Sequence, residues 1–329
     1  MATYNGSAYL REQLASILYQ TRQPDELVVG DDGSDDSTIG ILRSFAEEAP
    51  FPVRILQHDH FGFGANFFLT LEAAQGELIA FADQDDVWLP NKLERSEDIL
   101  QGYEASLVTH GATTVDHTLQ PVRTGHRAVR RTMVYARFKP NVWPDAWPGH
   151  HGNSMLFRRV LLNGCDWSRR PTNVLGDRLS HDQLVHILAS IRGASVYLPD
   201  KLLLYRQHRH NVGGARPPFI ERWRVYAKED VSLLTSLEDN LGCLYDWATY
   251  FSPLVEPEYR DMAKAYFLSA AAMLAQRSKR LRLPARRAIP ALISAAIRGQ
   301  YARLGPDTLG WGTLPRDFHY ICRRSLVGR

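Results

Sequence analysis

A short apolar run that ends in a cluster of carboxylates is the feature that most constrains this fold. Leu78-Ile79-Ala80-Phe81 is apolar enough for a buried strand, and Asp83-Gln84-Asp85-Asp86 follows it almost directly. Open α/β sheets bind their ligands at the carboxyl ends of their strands. Carboxylates this close in sequence repel one another, and a hard divalent cation such as Mg²⁺ or Mn²⁺ is the usual way to hold them together. A solvated acidic turn is the competing interpretation, and the apolar and aromatic residues on both sides argue against it.

The first third of the chain alternates apolar runs with segments of helical period. Four runs are predicted to be buried strands: 27–29, 53–56, 78–81 and 106–110. This alternation predicts an α/β fold with a mainly parallel sheet and helices on both faces. The strand before Asn5 holds only a few residues, so we expect it to be truncated.

The remaining chain changes character twice. Residues 111–150 show weak periodicity with many Trp, Pro, Arg and His residues, so we predict a loop-rich insertion on the substrate side. A helix over 180–191 and a strand over 194–198 are expected next, and the pattern after them is helical. We therefore predict an α/β domain over 1–215 and a helical region over 216–329.

Composition excludes several classes of protein. The net charge of +3 over 329 residues is too small to indicate nucleic-acid binding. The cysteines, Cys165, Cys243 and Cys322, fit neither a metal-ligand spacing nor a disulfide framework, which predicts a reducing cytosol. No apolar run approaches the roughly 18 residues of a membrane span. We expect a cytoplasmic protein, either free or held at the inner face of the plasma membrane.

Several short motifs, taken in order, resemble a known family. They are Ala-Thr-Tyr-Asn-Gly at 2–6, Gln20-Thr21, Asp31-Asp32-Gly33-Ser34, Gly62 with Asn66-Phe67, Asp83 to Trp88, His181-Asp182 and Tyr205-Arg206-Gln207-His208. Together they resemble the family-two glycosyltransferases of the GT-A fold, and most of all a rhamnosyltransferase-like branch that builds bacterial surface polysaccharides. The resemblance covers residues 1–215 as the catalytic domain, and the helical region carries no such motif.

The resemblance implies a site for a nucleotide diphosphate sugar. Asp32 would accept a hydrogen bond from an imide N–H of the base, and the loop after the first strand would line the base and ribose: Thr3, Tyr4 and Asn5. Gly62 and Asn66 would line the donor sugar or diphosphate, since a glycine before a helix lets phosphate approach the backbone. Two alternatives stay open, a turn with a helix cap for 31–36 and a helix cap for Asn66.

The resemblance also assigns roles within the acidic cluster. Asp85 would be the principal ligand of Mg²⁺ or Mn²⁺, Asp83 would touch the ribose or a metal-bound water, and Asp86 would support the site or contact the sugar. His208 would add a ligand from the segment after the last strand, or Arg206 would contact phosphate oxygens instead. A surface histidine within a basic segment is the simpler alternative.

Asp182 stands at the start of a predicted helix, and the resemblance makes it the base of an inverting transferase. The acceptor hydroxyl would give its proton to this carboxylate, which His181 would orient. The alternative is a helix-terminal aspartate that only stabilises the helix dipole. His150, His151 and Asn153 resemble the loop that faces the acceptor in this family, although a histidine pair can also bind metal. Trp143 and Trp147 would stack on sugars of the acceptor, and the alternative is that both are structural.

These assignments predict an inverting, metal-dependent glycosyltransferase. Its donor would be a dTDP- or UDP-sugar, with rhamnose as one candidate, and its acceptor a polysaccharide or a polyprenyl-linked glycan. One alternative is a nucleotidyltransferase, although residues 1–10 lack a phosphate loop rich in glycine and basic residues. Another is a degenerate nucleotide-sugar-binding protein without turnover. The basic stretch 277–287 before the apolar run 291–297 predicts either peripheral membrane association or helices packed on the catalytic domain.

Overall fold

The computed structural model describes residues 1–122, 131–138, 151–172, 177–209, 211, 232–298, 300, 314, 317–318 and 320–322, with the backbone alone for 232–241. The α/β part runs in the order β1 (Ala2–Thr3), α1 (Leu10–Leu18), β2 (Leu27–Asp31), α2 (Thr38–Glu48), β3 (Val53–Gln57), α3 (Phe63–Ala73), β4 (Leu78–Ala80), β5 (Val87–Trp88), α4 (Lys92–Gly102), β6 (Leu107–Val115), β7 (Met133–Tyr135), β8 (Met155–Arg158), α5 (His181–Arg192) and β9 (Ser195–Arg206). The helical part comprises α6 (Ser232–Phe251), α7 (Arg260–Arg282) and α8 (Ala285–Ile297).

The first sheet holds β1, β2 and β3 in parallel order, as the sequence pattern predicts. Ala2 and Thr3 of β1 pair with the last two residues of β2. One face of α1 packs on this sheet because its apolar residues recur at helical spacing. The packed cluster includes Leu10, Leu14, Ile17, Val29, Ile41 and Leu42.

The second sheet is mixed. Its strands follow the order β4-β8-β6-β9-β5, and β7 pairs with β9. Among the described pairings of this sheet, β6 and β9 run parallel, and the other neighbours run antiparallel. The prediction of a mainly parallel order therefore holds for the first sheet and is wrong for the second. The regular alternation of strands and helices that suggested it ends at β6, and β8 then enters between β4 and β6 antiparallel to both.

The last strand is longer than the sequence suggests. The prediction was a strand over 194–198 followed by an ordered tail, whereas β9 continues to Arg206. Its second half pairs with the end of β6 and, through Leu203 and Leu204, with β5. This extension carries Arg206 to the acidic turn that precedes β5.

The two sheets meet at the carboxyl ends of their strands. The Ala2 N–H donates to the carbonyl of Ala82 at 3.4 Å, and Ala2 forms an isolated parallel bridge with Asp83. The ends of β1, β2 and β4 therefore lie at one edge. An apolar groove lies between residues of the two sheets, and its lining includes Met1, Val28, Leu71 and Ile79.

The helical region packs on the α/β part through a shared apolar core. Trp247 and Phe251 of α6 and Phe267 of α7 belong to the same buried cluster as Leu184 and Ile187 of α5. The predicted boundary at residue 215 lies outside the described residues. Within the helices that are described, none combines the length and apolar character needed to cross a membrane.

A buried ion pair ties α7 to the end of the described chain. Arg277 donates to both carboxylate oxygens of Asp317, with 2.7 Å between Nη2 and Oδ1. Both side chains are almost fully buried. The guanidinium and carboxylate therefore satisfy each other inside an otherwise apolar region.

Candidate active site

The acidic turn after β4 brings three carboxylates together. One oxygen atom each from Asp83, Asp85 and Asp86 lies within 4.8 Å of the other two. Burial and the charges of Asp85 and Asp182 raise the pKa of Asp83 to about 7. Asp86 is buried, and Asp83 and Asp85 are partly buried. Carboxylates at this separation repel one another without a positive counter-charge, and their oxygen atoms suit Mg²⁺ or Mn²⁺. The donor set therefore fits a divalent cation.

Asp86 anchors the back of this turn and is fully buried. Its Oδ1 accepts a hydrogen bond from the Arg206 backbone N–H at 3.1 Å, and its Oδ2 accepts one from the Asn153 side chain. The Nζ of Lys92 donates to the Asn153 carbonyl at 2.6 Å and lies 3.5 Å from the centre of the Trp88 ring. Burial raises the pKa of Asp86 and lowers that of Lys92 to about 7. Both oxygens of Asp86 are thus engaged by the protein.

Asp85 faces two side chains from the segment after β9. Its Oδ2 lies 2.8 Å from Nε2 of His208 and 3.3 Å from Nδ2 of Asn211. The His208 ring packs against Tyr9, with 4.7 Å between ring centroids. The predicted metal ligands Asp85 and His208 are therefore neighbours in the fold, although 123 residues separate them in sequence. Coordination by His208 stays a prediction.

Arg206 does not reach the open side of the site, which corrects the predicted phosphate contact. Its side chain is 1% exposed. Its Nε donates to the Asp85 carbonyl at 2.7 Å, its Nη1 to the His117 carbonyl at 2.9 Å, and its Nη2 to Glu12. The guanidinium also lies 4.5 Å from the centre of the Tyr9 ring. All of its nitrogens are bonded to protein, so Arg206 braces the acidic turn instead.

Asp182 lies in the first turn of α5, close enough to the acidic turn to raise the pKa of Asp83. Its Oδ1 accepts hydrogen bonds from the Ser180 hydroxyl and from the Gln183 backbone N–H, the latter at 2.8 Å. A Cβ added to Gly152 would lie 3.5 Å from the Asp182 Cβ and 2.5 Å from the neighbouring imidazole. The glycine thus lets the segment before β8 approach α5 closely.

His181 lies inside a box of aromatic rings. It stacks on Phe67 with 3.8 Å between ring centroids, and the rings of Phe81 and Phe63 pack edge-on at 4.6 Å and 5.5 Å. Burial lowers the pKa of His181 to about 4, so the ring is neutral near pH 7. His181 is a packing residue that fixes the start of α5, and this helix turn carries Asp182. A direct orienting role stays a prediction.

Thr3 and Asn66 hold the ends of the first two strands. The Thr3 hydroxyl donates to Asp31 at 2.9 Å, and the Asn66 amide donates to the carbonyls of Gly30 at 2.9 Å and Thr3 at 3.3 Å. Both side chains are buried. The helix-cap alternative for Asn66 is wrong, because Gly62 is the N-cap of α3, with φ +90°. Direct contact of Thr3, Gly62 or Asn66 with a donor stays a prediction.

Tyr4 presents an open ring at this edge and is 46% exposed. Its backbone N–H and carbonyl pair with the Gln84 side-chain amide at 2.9 and 3.0 Å, and its ring lies 4.6 Å from that of His60. Asn5 adopts a left-handed backbone with φ +47° and accepts a hydrogen bond from the Asp35 N–H at 3.0 Å. The loop from Tyr4 to Asn5 is therefore tied to two neighbouring turns.

Asp32 is bonded to the loop before α3 and is 2% exposed. Its Oδ1 accepts from the Phe61 N–H at 2.7 Å and its Oδ2 accepts from the Gly62 N–H at 2.8 Å. The sequence-based expectation was a carboxylate open to a nucleotide base. In this structure the loop occupies both oxygens, so contact with a base requires the loop to move and stays a prediction.

A comparison with known proteins identifies the family. Residues 1–164 match the model described as Glycosyl transferase family 2. The chain belongs to glycosyl transferase family 2. It is 34% identical to an uncharacterized glycosyltransferase of Nostoc sp., covering 64% of each chain. It is 27% identical to the dTDP-rhamnosyl transferase RfbG of Shigella flexneri, covering 73% of this chain and 85% of that one. The matched part thus spans slightly less than two thirds of the Nostoc relative.

The family-2 fold has solved counterparts. The structure of S. aureus TarS 1-349 with UDP-GlcNAc matches with a TM-score of 0.53 and 17% identity, covering 100% of this chain and 90% of that chain. The complex of the same protein with UDP matches with a TM-score of 0.52 and 16% identity, with the same coverage. At this identity the likeness establishes the α/β fold of GT-A type and the helical continuation beyond it.

The segment that is predicted to face the acceptor is described only in part. The His151 ring stacks on Tyr205 with 4.9 Å between ring centroids, beside the residues that hold Asp86. Asn153 turns toward Asp86 rather than outward. The remaining residues predicted for this side lie outside the described residues: His150, Trp143 and Trp147. An acceptor contact by His151 stays a prediction.

Two residues of the site were missed at the level of sequence. Gln84 pairs with the Tyr4 backbone as a strand would, and Lys92 lies behind the acidic turn as a buried positive charge. Gln84 lies within the acidic motif, so its position in the sequence could have indicated a role in the site, whereas a glutamine by itself does not. Lys92 opens a helix, where a lysine is ordinarily exposed, and no sequence pattern indicates its burial.

Proposed function

We propose that this chain transfers a sugar from a nucleotide diphosphate sugar to a hydroxyl group of a glycan, with inversion at the anomeric carbon. One geometric observation carries the proposal: Gly152 lies against Asp182, and the next residue, Asn153, donates to Asp86 of the acidic turn. Transfer needs positive charge at the departing diphosphate and a proton acceptor at the attacking hydroxyl. The acidic turn and Asp182 supply these two functions side by side, and the family supports the donor class.

A divalent cation is part of the proposal. Asp85 and Asp83 would hold Mg²⁺ or Mn²⁺, with His208 as a further ligand, whereas Asp86 keeps its bonds to Arg206 and Asn153. A cation held there would supply positive charge toward the departing diphosphate. Support comes from the oxygen-rich donor set, in which one oxygen atom of each of the three carboxylates lies within 4.8 Å of the other two.

The donor lies along the carboxyl ends of β1 and β2. The exposed ring of Tyr4 offers a flat face for the base, and Asn5 lies beside the ribose. Asp32 accepts from the base once the Phe61–Gly62 loop releases it, and the first turn of α3 then faces the phosphates. Thr3 and Asn66 position these groups through the strand backbone.

Asp182 is the proton acceptor of a single displacement. The acceptor oxygen attacks the anomeric carbon, the bond from that carbon to the diphosphate oxygen breaks, and the hydroxyl proton passes to Asp182. Ser180 and the Gln183 N–H both bond to Oδ1, so we assign the proton to Oδ2. One displacement inverts the anomeric centre and forms no covalent bond to the enzyme.

The sugar is proposed from the relatives, and the acceptor from the resemblance of the sequence motifs. RfbG is named as a dTDP-rhamnosyl transferase, and TarS is solved with UDP and UDP-GlcNAc. We therefore propose dTDP-rhamnose as the first donor to test and UDP-sugars as the second. The acceptor is a surface polysaccharide or its polyprenyl-linked precursor.

Nucleotide release from a panel of sugar nucleotides tests this function. Purified chain is incubated with dTDP-, UDP- and GDP-sugars and Mn²⁺ or Mg²⁺, next to Asp85→Asn, Asp182→Asn and the control Asp98→Asn. Asp98 is an exposed carboxylate on α4, away from the acidic turn. We expect release of nucleoside diphosphate from one donor. EDTA and each of the two site variants should abolish this release, and Asp98→Asn should retain it.

Two other outcomes decide against transfer. Tight nucleotide binding by calorimetry without release from any donor, in the presence of glycan acceptors, indicates a binding protein without turnover. Release of inorganic diphosphate from a nucleoside triphosphate and a sugar phosphate indicates a nucleotidyltransferase. Equal release by the wild type and Asp182→Asn contradicts the assigned base.

A further inference from the structure

The positive charge of this chain is concentrated in the helical region. Residues 262–306 contain nine lysine and arginine residues and no acidic residue, whereas the whole chain has a net charge of only +3. The rest of the chain is therefore net negative. Such a separation gives α7 and α8 a positive field that the overall charge conceals.

α8 divides into a packed face and an open face. Its buried residues are Ala288, Leu292 and Ala295, which recur at helical spacing. Successive helix residues are about 100° apart, so Pro290, Ile293 and Ile297 fall on the opposite side. These three are exposed, and Ile293 and Ile297 are 53% and 81% exposed. An apolar ridge thus runs along the open face.

Basic residues flank this ridge. Arg286 and Arg287 in the first turn of α8 and Arg298 directly after its last turn are exposed. At about 100° per residue, Arg286 falls on the open face, and Arg287 and Arg298 fall at its border. Lys279 is exposed near the end of α7. The helix is about 20 Å long at 1.5 Å per residue, so the charges and the ridge form one continuous surface.

We propose that the open face of α8 is a docking surface for an anionic lipid bilayer. The arginines contact headgroup phosphates, and Ile293 and Ile297 enter the boundary between headgroups and acyl chains, with the helix axis in the membrane plane. Docking through this face would hold the protein at a membrane surface, where a lipid-linked acceptor is held, whichever sugar is transferred.

The combination of charge and apolar ridge selects a membrane over other partners. A nucleic acid would satisfy the arginines and leave two exposed isoleucines without an apolar partner. A second copy of this chain would bring a like-charged face against this one. A bilayer with anionic headgroups satisfies both the charges and the ridge, because its interface offers phosphate and hydrocarbon within a few ångströms.

Vesicle flotation with the full chain tests the proposal. Vesicles of phosphatidylcholine alone are compared with vesicles that contain one third phosphatidylglycerol, at low and at high salt. The variants are Arg286→Gln/Arg287→Gln/Arg298→Gln and Ile293→Ser/Ile297→Ser. A matched charge control is Arg43→Gln/Arg159→Gln/Arg169→Gln, whose residues are exposed in the α/β part. Thermal unfolding of every variant shows whether it is folded.

We expect the wild type to float with the anionic vesicles and to release at high salt. The triple change on α8 weakens partitioning about 100-fold, since each basic residue near an anionic surface contributes about fivefold. The double isoleucine change weakens it by roughly tenfold, and the control triple leaves partitioning within about threefold. Equal binding to both vesicle types, no binding to anionic vesicles, or equal loss in the control triple overturns the proposal. So does tighter binding to duplex DNA than to the vesicles.

Discussion

The acidic turn and the helical region are stabilised in opposite ways. Around the turn, buried polar groups satisfy one another: Asp86 bonds to Arg206 and Asn153, whose carbonyl in turn accepts from Lys92. In the helical region, aromatic and aliphatic side chains of α6 and α7 pack against α5, and the Arg277–Asp317 pair lies within that packing. One region is organised by hydrogen bonds and the other by apolar area.

The acidic turn therefore contributes mainly to the reaction, and the helical region contributes mainly to stability. Polar groups held by other polar groups keep a fixed geometry toward an open site, which is what a reaction needs. Apolar packing supplies stability without orienting any reactive atom. Changes at the site should therefore alter turnover more than stability, and changes in the helical region should do the reverse.

Asp182→Asn should break the chemistry and leave the fold intact. An amide retains the size of the carboxylate and cannot take the acceptor proton, so turnover should fall by about 10²- to 10⁴-fold. Steady-state transfer with the donor found by nucleotide release measures this effect. The unfolding temperature of the variant should stay within a few degrees of that of the wild type. A large fall in the unfolding temperature together with the fall in turnover would contradict the claim that site changes alter turnover more than stability.

Arg277→Met should have the opposite effect. It leaves the Asp317 carboxylate buried without its partner, which should cost about 3–5 kcal/mol of unfolding free energy. Denaturant unfolding measures the loss, and nucleotide release well below the unfolding temperature should be unchanged. The double variant Arg277→Met/Asp317→Leu removes both charges and should recover most of the loss. Failure to recover would assign the effect to packing around Arg277 rather than to the ion pair.

The buried His181 should make the free energy of unfolding depend on pH. Its pKa is about 4 in the folded chain, against 6.5 for the free side chain. The unfolded chain therefore binds a proton first as the pH falls, and stability present above pH 6.5 is lost between pH 6.5 and 4. The loss for this group reaches about 3 kcal/mol.

His181→Leu removes this titration. Between pH 7 and pH 4.5, the unfolding free energy of the wild type should fall by about 2–3 kcal/mol more than that of the variant. His110 and His186 are buried with lowered pKa values as well, so the variant should keep part of the acid sensitivity. Identical pH dependence in both chains would show that His181 is not neutral in the folded state.

Asn153→Ala should give the smallest of these effects. It removes the hydrogen bond to Oδ2 of Asp86 and leaves the Asn153 carbonyl that accepts from Lys92. A buried carboxylate oxygen without its donor should cost about 1–3 kcal/mol of unfolding free energy. Denaturant unfolding checks this value, and an unchanged midpoint would mean that another group replaces the amide.

The sequence predicts the strand ends and the acidic turn well because both depend on local pattern. Apolar runs at 27–29, 53–56 and 78–81 followed by acidic or glycine-rich loops are sufficient to place β2, β3 and β4. The antiparallel entry of β8 could not be predicted, since pairing partners depend on contacts between distant segments. The same limit hides the extension of β9 to Arg206.

Side-chain partners in the site were harder to predict than the site itself. Arg206 and Asp32 are residues that bind phosphate and base in many proteins, yet both are engaged by protein groups from other segments. Which partner a buried charge finds depends on the tertiary fold, and one residue type serves either purpose. Asp85 and His208 were brought together through the resemblance, which supplied the long-range information that spacing lacks.

The most direct test of the central claim is calorimetric titration with a nucleoside diphosphate in the presence and absence of Mn²⁺. The account predicts that the wild type binds UDP or dTDP only with Mn²⁺, that Asp85→Asn loses this binding, and that Asp182→Asn retains it without turnover. The three results together assign the acidic turn to the donor and Asp182 to the proton. Equal binding by all three chains, with or without Mn²⁺, would contradict the account.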